Sequence, residues 1–155
     1  MDRNCKYRPA RKEDAAVLSM QLREQDQQEL MAMHGLDVDY KKVLETAIAV
    51  SKECWVAETH DGQMICMFGV SVFNQDMNLG CPWLLGSDKV LKVARELIAD
   101  GRFFVGQWRC QFDGLVNFVD TRNSASIRYL KKLGFMIHDA VEVGAMNKLF
   151  HPFTA

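Results

Sequence analysis

Asp120–Phe135 reads DTRNSASIRYLKKLGF and is the most informative segment of the chain. It follows the apolar run Leu115–Val119, which predicts a buried strand. Asn123 is a residue type that caps helix N-termini, and Gly134 suits the left-handed position that ends a helix. The segment therefore predicts a strand that leads directly into a short helix over Asn123–Leu133.

Two helices are predicted after the first strand, Cys5–Arg8. The first covers residues 11–25, where apolar side chains recur at helical spacing, and it extends to Met33 if Gly35 is its end. The second follows Asp37 or Asp39, either of which can cap it. Its apolar stripe has the spacing of one helical face: Tyr40, Val43, Leu44, Ala47 and Ile48.

An antiparallel hairpin is predicted in the middle of the chain. Glu53–Thr59 is rich in residues that favour strands, and the Asp-Gly pair within residues 60–63 favours a tight turn. Met64–Phe73 is almost wholly apolar, as in a strand covered on both faces. Leu79–Leu85 is a shorter apolar run that would add a strand beside this hairpin.

A third helix is predicted after Ser87 or Asp88, either of which can cap it. Its apolar stripe begins at Val90 and continues to Phe112. Because Gly101 interrupts the stripe, we expect a break in the helix there.

The order of these elements predicts the fold class. Met136–Glu142 and Ala145–Phe150 would form a closing hairpin across Gly144. The earlier strand-helix-strand crossover can place two strands in parallel. We therefore expect an α/β protein with three layers, in which helices flank a mixed, mostly antiparallel sheet. An unrelated α+β sandwich is the alternative.

Composition narrows the class of protein. The chain has 155 residues, of which 48% are hydrophobic and 25% charged, and this predicts a single globular domain over residues 1–155. Disordered, collagen-like and coiled-coil classes are excluded. The formal net charge of −1 gives no overall field that would attract nucleic acid or an anionic membrane.

The N-terminal residues, the cysteines and the histidines indicate the setting of the protein, which we expect to be cytoplasmic. The first eight residues are polar and lack the apolar core of a signal peptide, and no apolar run is long enough to cross a bilayer. The five cysteines are scattered, which favours buried, reduced thiols. The four histidines are equally scattered, so we expect no metal site.

Two motifs resemble a known family. The pattern N-x-x-S-I-R-x-L-x-K-L-G-F over Asn123–Phe135 is similar to the closing motif of the GNAT acetyltransferase superfamily. Within that superfamily it most resembles the branch that acetylates the N-termini of ribosomal proteins. The opening Tyr7–Ala15, YRPARKEDA, resembles the start of many GNAT proteins. With the element order, the resemblance covers nearly the whole chain. It implies an acetyl-CoA-dependent N-acetyltransferase.

A third sequence segment resembles a narrower group of proteins. Pro82–Asp88, PWLLGSD, looks like part of short GNAT-like proteins of tailed phages, some of which are described as internal virion proteins. This resemblance implies a phage-encoded protein that acts in the cytoplasm of the bacterial host or is packaged in the virion.

The resemblance also implies where acetyl-CoA would bind. In GNAT enzymes a glycine-rich turn between the fourth strand and the following helix holds the pyrophosphate through backbone N–H groups. The corresponding turn here is Leu84–Lys89, in which only Gly86 matches the family pattern and Asp88 would oppose the phosphates. The alternative for this turn is a plain helix cap. The predicted cofactor contacts are Leu85, Gly86, Ser87, Lys89, Asn123 and Arg128.

Catalytic candidates follow from the closing motif. Many GNAT enzymes have a tyrosine that acts as general acid at the position of Leu130. Tyr129 is rotated from that position by about 100° around the helix axis. Ser126 is in register to protonate the departing thiolate instead, and Asn123 would lie near the pantetheine arm. Asp120 is the candidate general base next to this motif. Three further carboxylates remain as alternatives: Glu53, Glu58 and Asp76.

The sequence leaves more than one possibility for the acceptor and for the overall function. The segments that would select the acceptor, Leu30–Asp39 and Val141–Met146, carry few acidic residues, which favours a protein or peptide over a polyamine. A noncatalytic GNAT-fold phage protein, serving as an internal virion or host-interaction component, is the main alternative to the enzyme. A nucleic-acid binder is a weaker one, based only on a basic flank: Arg122, Arg128, Lys131 and Lys132. The sequence gives no indication of oligomeric state.

Overall fold

A computed structural model describes residues 3–155 of the chain. Its elements, in chain order, are β1 (Lys6–Pro9), α1 (Asp14–Ser19), α2 (Glu24–His34), α3 (Tyr40–Val50), β2 (Glu53–Glu58), β3 (Met64–Asn74), β4 (Leu79–Gly86), a 3-10 helix (Asp88–Val93), α4 (Ala94–Gln111), β5 (Gly114–Asp120), α5 (Ser124–Lys132), β6 (Met136–Ile137), β7 (Val141–Val143) and β8 (Lys148–Thr154).

The strands form one mixed sheet in the order β1-β2-β3-β4-β5-β8-β6, with β7 also paired to β8. Only β4 and β5 are parallel, and α4 connects them; the other pairs described are antiparallel. The predicted fold class is confirmed: an open, mostly antiparallel sheet flanked by helices.

Both faces of the sheet are covered. On one face Phe68 and Val119 pack with α4, whose Trp108 is 4% exposed. On the other face Leu18 of α1 and Leu44 of α3 are fully buried against the sheet. The whole of residues 64–70 in β3 is buried, as the continuous apolar run predicts.

The single helix predicted over residues 11–25 is wrong, because the chain forms two helices there. The backbone of Arg23, between α1 and α2, is extended (ψ 147°). Its N–H donates to the Gly86 carbonyl at 2.9 Å, which ties this point of the chain to the end of β4. Leu22 is buried beside it (6% exposed). The helical spacing on either side is real, but a tertiary contact interrupts it.

The break predicted at Gly101 is also wrong, since α4 continues through this residue to Gln111. The third helix does begin after Ser87 as predicted, although its first six residues are 3-10 rather than α-helical. A Cβ at position 101 would lie 2.7 Å from the Tyr129 hydroxyl oxygen and 2.8 Å from Leu133 Cδ2. The glycine is therefore explained by close packing of α4 against α5.

The end of the chain differs in detail from the predicted hairpin. β7 and β8 do pair across the turn at Gly144, but the run Met136–Glu142 divides into β6 and β7. β8 continues past Phe150 to Thr154 and pairs with β5 along Val116–Asp120. Within residues 3–155 no helix has the length and apolar character needed to span a membrane.

Candidate active site

The parallel strands β4 and β5 separate soon after they meet. Their register covers only Leu79 with Gly114 and Gly80 with Leu115. Beyond that point the Asn117 side chain donates to the Pro82 carbonyl at 2.8 Å, while no further residues of the two strands are paired. A V-shaped opening between the two strands, the splay, results.

A cavity of about 280 Å³ occupies the splay. Its wall includes residues from both strands and from helices on both faces of the sheet, so it reaches both faces. Most of the lining is apolar, and the helices contribute Leu30, Met33, Val43, Leu97, Phe104 and Leu130. A cavity of this size and polarity suits a small organic ligand or an extended arm with few polar atoms.

Glu29 of α2 is the principal carboxylate in the cavity wall on the α2 side. One of its oxygens accepts a hydrogen bond from the backbone N–H of Asp120 at 2.6 Å. Burial raises the pKa of Glu29 to about 7, assisted by the negative charges of Asp26 and Asp120 and opposed by the Asp120 N–H bond. A carboxylate with a pKa near neutrality is suited to accept a proton from an amine.

Ser126 of α5 lines the same cavity. Its backbone N–H donates to the Asn123 side-chain oxygen at 3.3 Å, which makes Asn123 the N-cap of α5 as predicted. The Ser126 hydroxyl is not needed for the cap. Asn123 itself is 2% exposed and lies behind the cavity wall, where it also accepts from the Arg23 guanidinium at 3.3 Å.

The other predicted acids and bases are engaged elsewhere. Asp120 is 2% exposed and ion-paired with Arg122 at 2.6 Å. Burial raises the pKa of Asp120, but hydrogen bonds and charge from Arg122 outweigh this and hold it below the usual value. Glu53 accepts from Trp108, Glu58 pairs with Arg8, and Asp76 is exposed in the β3–β4 turn. Glu29, rather than these four, contributes to the cavity wall.

Tyr129 lines the cavity but does not present a free hydroxyl. Its O–H donates to the Leu97 carbonyl at 3.0 Å, and burial raises its pKa above the usual range. The motif spacing in the sequence likewise gives Tyr129 no catalytic role. The bond ties α5 to the first turn of α4.

The backbone N–H groups of the Gly86 turn are largely occupied by the protein itself. The Gly86 N–H donates to Asp26 Oδ2 at 2.9 Å, and the Ser87 N–H donates to the Ile65 carbonyl at 2.9 Å. The Lys89 N–H is directed at the Ser87 hydroxyl, 3.4 Å away. In this conformation the turn fits a structural cap and does not fit a pyrophosphate.

The predicted cofactor contacts are only partly brought together. Leu85 lines the cavity, and Gly86 lies next to it. Ser87 is 4% exposed and donates its hydroxyl to the carbonyls of Met64 and Ile65. Lys89 lines a second cavity beside the β2–β3 turn, and Arg128 is exposed on α5. Neither the lysine nor the arginine therefore lines the cavity at the splay.

The two segments predicted to select the acceptor are in contact. The N–H of Ala145, in the β7–β8 turn, donates to the Met33 carbonyl at 2.9 Å. Gly144 has φ 82°, and a Cβ there would lie 2.8 Å from the Ala32 carbonyl oxygen. Met33 and His34 also line the cavity. The end of α2 and the β7–β8 turn thus border the same side of the site.

Sequence reasoning did not identify Glu29 as a residue of the cavity wall, nor Arg23 and Asp26 as buried residues. Residues 24–29 read EQDQQE, which is typical of a solvated helix face. Nothing local indicates that Asp26 is 3% exposed beneath the end of β4. A tertiary contact between α2 and two distant strands was needed to recognise them.

Comparisons with known proteins give matches by structure alone. No family model and no curated protein matches the sequence. Spermidine N-acetyltransferase from Vibrio cholerae, in complex with CoA and spermine, matches with TM-score 0.69 and 11% identity over 98% of this chain and 95% of that one. Ribosomal-protein-alanine N-acetyltransferase from Brucella melitensis matches with TM-score 0.67 and 17% identity over 97% and 98%.

A third match is yncA from Salmonella typhimurium with its cofactor acetyl-CoA, with TM-score 0.63 and 20% identity over 98% of this chain and 93% of that one. These matches cover nearly the full length of both partners. At such identities they establish the fold, which is that of the GNAT acetyltransferases.

Proposed function

We propose that this chain is an N-acetyltransferase that uses acetyl-CoA to acetylate an amine of a protein or peptide. One observation carries the proposal: the cavity at the β4–β5 splay reaches both faces of the sheet and has Glu29 and Ser126 in its wall. A donor entering from the α4–α5 face and an acceptor entering from the α2–α3 face could meet there. The acetyltransferases among the fold matches support the same chemistry.

Glu29 acts as the general base in this proposal. An ammonium group must lose a proton before its nitrogen can attack a thioester. The bond from the Asp120 N–H orients the Glu29 carboxylate, and its raised pKa keeps it able to take a proton near neutral pH. The ammonium releases one proton to solvent, and the neutral amine attacks the thioester carbon as a second proton passes from its nitrogen to Glu29.

Ser126 acts as the proton donor on the opposite side of the cavity. Bound acetyl-CoA would supply the acetyl thioester, whose C–S bond breaks as the C–N bond to the amine forms. The Ser126 hydroxyl donates its proton to the departing sulfur and regains one, through solvent, from Glu29. Glu29 and Ser126 end in their starting states, and an acceptor that enters as an ammonium releases one proton to solvent over the cycle.

The surroundings of the acceptor side favour a peptide over a polyamine. Leu30, Met33 and Val43 line this side of the cavity, and flexible methionine side chains adapt to varied apolar partners. Two carboxylates line the cavity, Glu29 and Asp100, and Asp100 is already engaged by Arg3 and Tyr7, whereas a polyamine carries several ammonium groups to be neutralised. A single amine attached to an apolar chain suits this arrangement.

Titration with acetyl-CoA tests the proposal. At a hundredfold excess over Kd the ligand should stabilise the fold by about 2.7 kcal/mol, which thermal unfolding and calorimetry can detect. Ser126→Phe places bulk in the cavity and should abolish the shift, while Ser124→Phe makes the same change at an exposed position of α5 and should retain it. No shift at millimolar acetyl-CoA would eliminate the proposal.

A noncatalytic protein with the same fold is the second candidate function. The observation that favours it is the Asp26–Gly86 hydrogen bond, which occupies a backbone N–H of the turn expected to hold pyrophosphate. Such a protein could serve as an internal virion or host-interaction component of a phage, as the resemblance of Pro82–Asp88 implies. It would unfold at the same temperature with and without acetyl-CoA.

A further inference from the structure

The N-terminal end of α2 binds both backbone polar groups of Gly86. The Arg23 N–H donates to the Gly86 carbonyl at 2.9 Å, and the Gly86 N–H donates to Asp26 Oδ2 at 2.9 Å. Arg23 is 8% exposed and Asp26 3% exposed, so both charges are buried. The end of β4 is therefore bound to a buried carboxylate and its cationic partner.

The groups around Asp26 are predominantly hydrogen-bond donors. Arg23 Nη2 lies 3.3 Å from Asp26 Oδ1 and also 3.3 Å from the Asn123 side-chain oxygen. Two further nitrogens of this cluster, Arg23 Nε and Asn123 Nδ2, are buried without any acceptor. Buried hydrogen-bond donors normally have acceptors, so two unpaired donors in one cluster need an explanation.

An anion with more oxygen atoms than a carboxylate would provide that explanation. The Gly86 N–H, the guanidinium of Arg23 and the Asn123 amide converge between the end of β4 and the start of α5. A phosphate group offers three or more acceptor oxygens, and an arginine fork with a backbone N–H is a common way to bind it. Asp26 satisfies only part of this donor set.

We propose that Gly86, Arg23 and Asn123 form an anion site and that the Asp26 carboxylate occupies it. Asp26 thereby competes with the phosphates of the acyl donor and sets the donor specificity. This inference rests on the proposed function. Leu85 and Ser126, which adjoin Gly86 and follow Asn123 in the chain, line the cavity, so the anion site lies next to the thioester position. With Asp26 in place, the diphosphate adds nothing to binding, and the donor is held through its pantetheine thioester.

Binding of two donors to two variants tests this inference. Acetyl-CoA and acetyl-pantetheine share the thioester arm, but only acetyl-CoA carries the diphosphate. The wild-type protein should bind the two within about threefold of each other. Asp26→Asn removes the charge that binds Arg23 and the Gly86 N–H, so the diphosphate can displace this side chain. The variant should bind acetyl-CoA at least about tenfold more tightly, with little change for acetyl-pantetheine.

Glu24→Gln is the matched control, since it removes the same charge from the exposed first turn of α2 and should behave as wild type. The inference is overturned if wild type prefers acetyl-CoA by more than about tenfold, or if Asp26→Asn leaves the ratio of the two dissociation constants unchanged. The wild-type comparison decides the matter even if Asp26→Asn does not fold. If neither donor binds any of the proteins, the proposed function fails and the inference with it, a result distinct from an unchanged ratio.

Discussion

Glu29 of α2 and Asp120 of β5 are joined by a hydrogen bond of 2.6 Å from the Asp120 N–H to a Glu29 carboxylate oxygen. The bond connects positions 91 residues apart and fixes a carboxylate at the open end of the splay. Because Glu29 is buried there, its pKa is raised to about 7. Position and pKa together qualify Glu29 as the base of the proposed acetyl transfer.

Replacing Glu29 should reduce turnover with little effect on donor binding. Glu29→Gln retains an acceptor for the Asp120 N–H but cannot take a proton. Loss of a general base costs about 10² to 10⁴ in rate, so we expect kcat to fall by at least a hundredfold while the Kd for acetyl-CoA stays within about threefold. In the wild type, kcat/KM should fall as pH drops through about 7. A glutamine variant with wild-type turnover would contradict the assignment.

The raised pKa of Glu29 also predicts how stability depends on pH. The pKa rises from its ordinary value of 4.5 to about 7 on folding, so between these values the folded chain holds a proton that the unfolded chain has released. Stability contributed by this group is therefore present at low pH and lost as pH rises, by about 3 kcal/mol in total. In urea unfolding, the free energy of unfolding of Glu29→Gln should increase relative to that of the wild type by about 3 kcal/mol from pH 4.5 to pH 8. An identical difference at both pH values would show that Glu29 is not perturbed.

Ser126→Ala separates catalysis from structure on α5. The Asn123 cap uses the Ser126 backbone N–H, which alanine retains, so the free energy of unfolding should change by less than about 0.5 kcal/mol. Steady-state kinetics should show a lower kcat with donor affinity preserved, because only the proton donor to the leaving sulfur is lost. An unchanged kcat would reject the acid role of Ser126.

Two glycines of α4 should respond to alanine in opposite ways. A Cβ on Gly101 would lie 2.7 Å from the Tyr129 oxygen and would displace it from the Leu97 carbonyl, so Gly101→Ala should destabilise the fold by about 1 to 3 kcal/mol. A Cβ on Gly106 would have no heavy atom within 4 Å, and Gly106→Ala should stabilise the fold by about 0.5 to 1 kcal/mol. Thermal unfolding of both variants checks the pair. Equal changes would contradict the close packing of α4 on α5.

Most of the fold could be predicted because its signals are local. The apolar run in β3, the Asp39 and Asn123 caps and the positive φ of Gly134 each follow from a few neighbouring residues. Gly101 misled the prediction because a glycine inside a helix usually marks a weak point. Here its cause lies in Tyr129 and Leu133, on a different helix.

The site was less accessible to sequence reasoning. Ser126 was predicted from the family resemblance of the closing motif, and it does line the cavity. Glu29 and Asp26 were not predicted, because the position of each depends on a contact with a strand end far away in the sequence: Asp120 and Gly86 respectively. A polar hexapeptide at the start of a helix carries no sign of such burial.

Acetyl transfer itself is the most direct measurement. Incubation of the protein with acetyl-CoA, a library of peptides with free N-termini and spermidine, followed by mass spectrometry, reports both turnover and acceptor class. The account predicts acetylated peptides with the wild-type protein, little acetylated spermidine, and at least about a hundredfold less product with Glu29→Gln. Product at the uncatalysed level with the wild type, or equal product from both proteins, would contradict it.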